Sequence, residues 1–167
     1  MANFTTGLFS NRELADKAVD DLRSLGFDPQ DISVVMNNDT RERHFLNQKG
    51  NNAVEGLAAG AAVGGTLTAI VAGFMATGTI AAVAATGGAA APLLVGPIAA
   101  ALAGAGAGGL GGGVIGALVG AGVPKETAHQ YDSAINDGGI LIGVNAHGRE
   151  KEIERLLRND GGTEITN

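Results

Sequence analysis

Residues 104–120 read Gly104-Ala-Gly-Ala-Gly108-Gly-Leu-Gly-Gly112-Gly-Val-Ile-Gly116-Ala-Leu-Val-Gly120, with a glycine at every fourth position. Upstream, Gly56, Gly60 and Gly64 keep the same step. Steps of four return to nearly the same side of a helix, so each series makes a smooth groove that another backbone can approach closely. These eight glycines are the candidate helix-packing and oligomerisation residues. Both series lie in a stretch of 69 residues, Gly56 to Pro124, that carries no charge and contains 19 glycines. Its only polar side chains are Thr66, Thr68, Thr77, Thr79 and Thr86.

A flexible linker is excluded by the apolar content. Leu57, Val63, Leu67, Ile70, Val71 and Phe74, then Leu110, Val114, Ile115, Leu118 and Val119, supply more hydrophobic surface than linkers carry, and serine is absent from the stretch. The run is longer than the roughly 18 apolar residues that mark a membrane helix candidate. Yet glycine and alanine gain little from leaving water, and a mid-helix glycine costs about 0.8–1 kcal/mol relative to alanine. Two homes therefore stay open, a bilayer and the dry core of an oligomer. Thr86, Gly87, Gly88, Pro92, Gly96 and Pro97 concentrate helix breakers between two helical runs, which predicts helices over about 53–85 and 98–121. The expected form is an antiparallel hairpin with both flanks on one side.

The flanks differ in kind. Net charge over the chain is −6, divided evenly between residues 1–55 and 125–167. Neither flank has the basic excess that binds nucleic acid or anionic lipid, so a nucleic-acid partner is not expected. With no cysteine, disulfides and thiolate metal sites are excluded. The N-terminus, Met-Ala-Asn-Phe-Thr-Thr, lacks a basic region followed by an apolar one. It predicts no secretion signal and a cytoplasmic location, or the cytoplasmic face of the inner membrane with the hairpin inserted.

In the first flank, Phe4–Phe9 is strand-like and Ser10 opens a capping box with Glu13. Leu14, Ala18, Leu22 and Leu25 form a helical stripe that Gly26 stops. Asp28-Pro29 turns the chain into a buried strand over 32–36, and 37–52 reads as a polar connector. In the second flank, Pro124 sits in a first helical turn, and Ala128, Tyr131 and Ile135 make a stripe that ends at Gly138-Gly139. Ile140–Val144 is a strand apolar on both faces. Residues 150–159 form a short helix with Ile153, Leu156 and Leu157 inward, and 163–166 an edge strand. The expected fold is α+β: a split, ferredoxin-like domain (βαβ, then αβαβ) interrupted by the long Gly/Ala-rich helical hairpin. The corresponding division is 1–52, 53–122 and 123–167.

Phe9 through Ala18, Leu25-Gly26-Phe27 and Asp31-Ile32-Ser33-Val34-Val35 resemble the opening of bacterial general stress proteins of the heat-induced YflT-like type. Gly122-Val123-Pro124-Lys125-Glu126, Ala128, Tyr131 and Gly138-Gly139-Ile140-Leu141-Ile142 resemble their closing half. The resemblance implies this architecture and a stress context, and it carries over no catalytic residue.

No catalytic, cofactor-binding or metal-ligating constellation is expected. His44, His129 and His147 lack mutual ligand spacing and read as solvated surface residues. Asp20, Asp21, Glu150, Glu152 and Glu154 read as helix-surface acids. The glycine clusters at 60–65 and 108–113 are not followed by Lys-Ser/Thr, as a phosphate loop would be. The expectation is a non-enzymatic protein whose hairpin drives homo-oligomeric self-assembly, membrane association or both. The alternatives are an integral membrane hairpin that alters bilayer properties and a soluble ferredoxin-like ligand sensor.

Overall fold

The structure, a computed structural model, describes residues 4–41, 43, 65–76, 81–82, 93–99 and 114–166. The elements in chain order are β1 (Phe4–Phe9), α1 (Arg12–Ser24), β2 (Ile32–Met36), α2 (Asn38–Arg41), α3 (Gly65–Ala76), β3 (Ala81–Ala82), β4 (Leu93–Val95), α4 (Val114–Gly120), α5 (Lys125–Asn136), β5 (Ile140–Asn145), α6 (Glu150–Asn159) and β6 (Thr163–Thr166). The protein is α+β. Its sheet runs β3-β4-β2-β5-β1-β6 with every neighbouring pair antiparallel.

Two-residue alternation along the central strands decides which layer each residue serves. On one face, Ile32, Val34 and Met36 of β2, Ile140, Ile142 and Val144 of β5 and Phe9 of β1 share a core with α1, α3 and α6. On the other, Val35, Leu141 and Phe4 pack against residues 98–99, α4 and α5. Both faces of β5 are covered, as its continuous apolar run anticipates.

The helix of the first flank starts one residue later than the capping-box reading places it. Asn11, not Ser10, is the N-cap, and its side-chain oxygen accepts the Leu14 N–H at 3.0 Å. The buried stripe is Ala15, Ala18, Val19 and Leu22, whereas Leu25 is 38% exposed. Gly26 does end the helix. At φ +88° it lets Phe27 N–H reach Leu22 O and its own N–H reach Arg23 O, the two bonds of a Schellman cap. Pro124 is likewise the N-cap of α5 and not its first helical residue.

The charge-free segment departs most from expectation. Ala81–Ala82, placed in the first hairpin helix by sequence, is a strand, and Leu93–Val95, placed in the break, pairs with Val34, Val35 and Met36 of β2. Of the expected helix over 98–121, residues 98–99 and 114–120 are helical, and 100–113 lie outside the described residues. The described parts pack on the sheet: Leu67, Ile70, Val71 and Val95 on one face, Ile98, Val114, Ala117 and Leu118 on the other. The physical reason is that an uncharged apolar run satisfies a sheet face as readily as a second helix. Among the described residues, no helix is long and apolar enough to cross a membrane.

The passage between the two faces is tight. Gly96, at φ +91°, lies where a Cβ would stand 2.3 Å from Ile32 O, so only glycine lets the chain cross β2 there. Ile98 then donates its N–H to Ser33 Oγ at 3.1 Å, and its side chain fills the space above Gly143.

Candidate functional site: an outward glycine face and a polar seam

Of the eight candidate glycines, Gly56, Gly60, Gly64, Gly104, Gly108 and Gly112 lie outside the described residues. Gly116 and Gly120 are on α4. This helix turns Val114, Ala117 and Leu118 inward and leaves Val119 43% exposed. Gly120 is exposed, and a Cβ added to it would meet nothing within 4 Å. Gly120 thus stands on the solvent side of α4, next to an exposed valine, while Gly116 is half-buried.

A second feature joins the first flank to the charge-free segment. Arg12, Asp16 and Asp20 occupy positions i, i+4 and i+8 of α1 and so share a face. Asp16 Oδ1 accepts the Leu67 N–H at 2.8 Å, and Arg12 Nη2 donates to Thr68 Oγ1 at 2.7 Å. The Thr66 hydroxyl bonds the Asp20 carboxylate. All three contacts land on the first turn of α3, where backbone N–H groups have no partner within the helix and the helix dipole favours negative charge. Burial pushes the Asp16 carboxyl above its ordinary value, and the Leu67 N–H and Arg12 offset part of that rise. Gly65 enters the turn at φ +79°, and a Cβ there would lie 2.8 Å from Asp16 Oδ1.

Farther along α1, the Lys17 ammonium bonds the Asp21 carboxylate at 3.0 Å and the Asp160 carboxylate at the end of α6. Asp160 is buried, and these two hydrogen bonds, Asp160 first, raise the Lys17 pKa. Asp20 and Asp21 are helix-surface acids, as the sequence suggests, and it is their partners that the sequence does not give directly. Their i, i+4 spacing with Asp16 and Lys17, together with threonines 66 and 68 at the start of an otherwise apolar helix, was the available signal.

The histidines do not converge. His44 lies outside the described residues and His129 is exposed on α5. His147, in the turn before α6, sits 2.9 Å from Asp31, a carboxylate partner that the tertiary fold supplies from 116 residues away. Beside it the Arg149 guanidinium stacks 4.5 Å from the centre of the Phe27 ring and donates to Leu25 O at 3.2 Å. Tyr131 is fully buried between helix and sheet; its hydroxyl meets Thr6 Oγ1 at 3.0 Å, Thr166 Oγ1 at 3.2 Å and Glu164 O. Among the described residues, no three His, Asp or Glu side chains are grouped to hold a metal ion.

An antiparallel sheet with helices on both faces, a polar α1 surface and an apolar helix face turned outward defines a small α+β domain organised around packing surfaces. The model for the heat-induced stress protein YflT domain matches residues 5–86, just under half of the chain and reaching from β1 to β3, and this match supports the resemblance to YflT-like stress proteins. No curated protein matches the chain. No solved structure matches it either.

Proposed function

We propose that this stress-associated protein acts without catalysis, as a unit that assembles with further copies of itself through its charge-free, glycine-rich segment. The observation that carries this reading is the outward end of α4, where Val119 and Gly120 are exposed, the space above Gly120 is open, and Gly116 and Gly120 continue the four-residue glycine register. Small residues let two backbones approach closely, and each apolar Å² removed from water contributes about 25 cal/mol. The three-part division at 52/53 and 122/123 then has a functional meaning. The outer parts form what we read as a split, ferredoxin-like domain, supported by the strand order β2-β5-β1-β6 of their four strands, and the middle part presents the assembly surface.

A bilayer is the competing partner for the same surface. Density-gradient flotation of the untagged protein, with and without mild detergent, separates the two. Fast sedimentation that ignores detergent supports self-assembly at a cytoplasmic location; flotation abolished by detergent supports membrane association.

A further inference from the structure

The same four residues end two helices. Asn136-Asp137-Gly138-Gly139 closes α5, and Asn159-Asp160-Gly161-Gly162 closes α6. In both, the aspartate is the C-cap and the first glycine takes a positive φ, +103° and +87°. Both glycine N–H groups then reach back to carbonyls of the last turn. The caps match, but the aspartates do not: Asp137 is exposed, whereas Asp160 is only 4% exposed. The cap needs the glycines and does not need a buried carboxylate. Burial of Asp160 is unfavourable on two counts. A carboxylate at a helix C-terminus meets the negative end of the dipole, and a buried polar atom without a partner keeps its desolvation penalty. Lys17 bonds Oδ1, but Oδ2 has no hydrogen-bond partner among the described residues.

Asp160 lines a groove of about 380 Å³ between α1 and α6. Asp21 and the cap residue Leu25 line it from the α1 side, Glu152 and Leu156 from α6; of the described residues that line it, three are acidic and none is basic. Glu152, Leu156 and Asp160 are spaced i, i+4 and i+8. They share a helix face, with the two acids about 12 Å apart along the axis and leucine between them. Cations already tie the two walls together. The Lys17 ammonium reaches from α1 to Asp160, and Arg149, bonded to Glu152 at 2.7 Å, donates to Leu25 O at 3.2 Å. An alkyl ammonium is thus a group these carboxylates hold, and one buried acceptor is left open to another.

We propose that the α1–α6 groove binds a linear polyamine, with one ammonium donating to Asp160 and another to Glu152. The methylene chain between them lies along Leu25 and Leu156, as the stem of a lysine lies on apolar surface while its charged end is paired. The groove is on the sheet face opposite α4, so the site stands whether or not copies assemble.

The test is calorimetric titration of the full-length chain with spermidine at fixed ionic strength. Putrescine serves as the shorter diamine, and magnesium chloride as a control for charge alone. The expected result is one saturable site for spermidine, with weaker binding of putrescine. Asp160→Asn keeps the shape of the side chain and removes its charge, and is expected to weaken spermidine roughly tenfold or more. Asp137→Asn, at the matching cap, is expected to leave it unchanged. Glu152→Gln should bring spermidine down to the level of putrescine. Lys17→Ala removes the cation that shares Asp160 and is expected to tighten binding, so the proposal stays open to refutation even if the Asp160 variant fails to fold. Absence of a saturable site would overturn the proposal, and so would a Lys17→Ala protein that binds no tighter. Equal weakening by Asp137→Asn, or equal heats from magnesium, would reduce the effect to attraction by a chain of net charge −6 and overturn it as well.

Discussion

The Asp16 carboxylate caps Leu67: an oxygen on α1 accepts, at 2.8 Å, the N–H of a residue 51 positions further along the chain. A cap usually comes from the residue just before its helix. Here it comes from a neighbouring helix, so α3 begins where α1 can satisfy its first N–H groups. The charge-free segment is joined to the first flank by directional contacts as well as by burial.

That cap has a pH signature with a definite sign. Burial raises the Asp16 pKa above 3.8 in the folded state, so the folded chain holds the proton more tightly than the unfolded one. The contribution of this group is fully present below about pH 3.8, falls as pH rises through the raised value, and is level above it. Asp16→Asn keeps an oxygen for Leu67 N–H and removes the burial penalty of the charge. Its stability at pH 7 is expected to equal or exceed that of the unmodified chain, with the gap closing towards pH 3.8. Asp16→Ala, which removes the acceptor, is expected to lose about 0.5–2 kcal/mol at either pH. Urea melts of the three proteins at pH 4 and 7 check both statements, and a large loss in the Asn variant at pH 7 would contradict the sign.

The passage across the sheet makes a second, local prediction. A methyl at Gly143 would stand 2.5 Å from Ile98 Cδ1, the far end of a flexible side chain, while one at Gly96 would meet backbone. Gly143→Ala is therefore expected to cost about 1–3 kcal/mol by overpacking. Ile98→Val removes the clashing atom, so the double variant should lose less than the sum of the two single losses, by 0.5 kcal/mol or more (about the lower limit for residues in contact). Gly96→Ala has no such rescue and is expected to be the most damaging of the set. Denaturant midpoints for the four variants decide the matter; strict additivity at Gly143 and Ile98 would mean they do not meet.

How much of this was legible in the sequence depends on how local each signal is. The end of α1 at Gly26, the strand over 32–36 and the inward side of α6 follow from caps and periodicity, which involve residues a few positions apart. The charge-free segment is different. Absence of charge says that a surface is buried, but not by what, and the same Leu67, Ile70 and Val71 fit a partner helix or a sheet face equally well. Leu93–Val95 is too short a run to separate from a loop by alternation. Gly96-Pro97 reads as a breaker pair, and only the 2.3 Å approach to Ile32 O shows why glycine stands there. The Asp16–Leu67 and His147–Asp31 pairs span 51 and 116 residues, beyond any local pattern.

Tyr131 ties the edge strand to the body of the fold. Its hydroxyl bonds Thr6 on β1 and both Glu164 O and Thr166 Oγ1 on β6. Tyr131→Phe is expected to cost about 0.5–1.5 kcal/mol and to speed amide hydrogen exchange at 163–166 more than elsewhere. Burial also raises the Tyr131 pKa above 10.0 in the folded state. Stability from keeping this hydroxyl neutral is full below about pH 10 and falls as pH rises beyond it, a loss the Phe variant should lack. Uniform exchange changes across the sheet would argue against an edge-specific role.

The assembly surface can be tested at Gly120, a described register glycine where the protomer leaves room. Substituting a packing glycine by leucine normally confounds two effects, a clash within the fold and a clash between copies. Gly120 separates them, because it meets nothing within 4 Å of an added Cβ and its φ is not in the left-handed region. Gly120→Leu is accordingly expected to keep the melting temperature of the protomer, with a small gain in helix propensity of at most about 1 kcal/mol. If copies approach each other along the Gly116–Gly120 face, the same substitution holds the backbones apart and should raise the concentration needed for assembly at least tenfold. If the surface instead faces lipid, leucine partitions better than glycine and flotation should increase. Sedimentation and flotation of this single variant, beside circular dichroism melts, therefore return opposite answers for the two partners, and an unchanged result in both assays would exclude the α4 face as the contact.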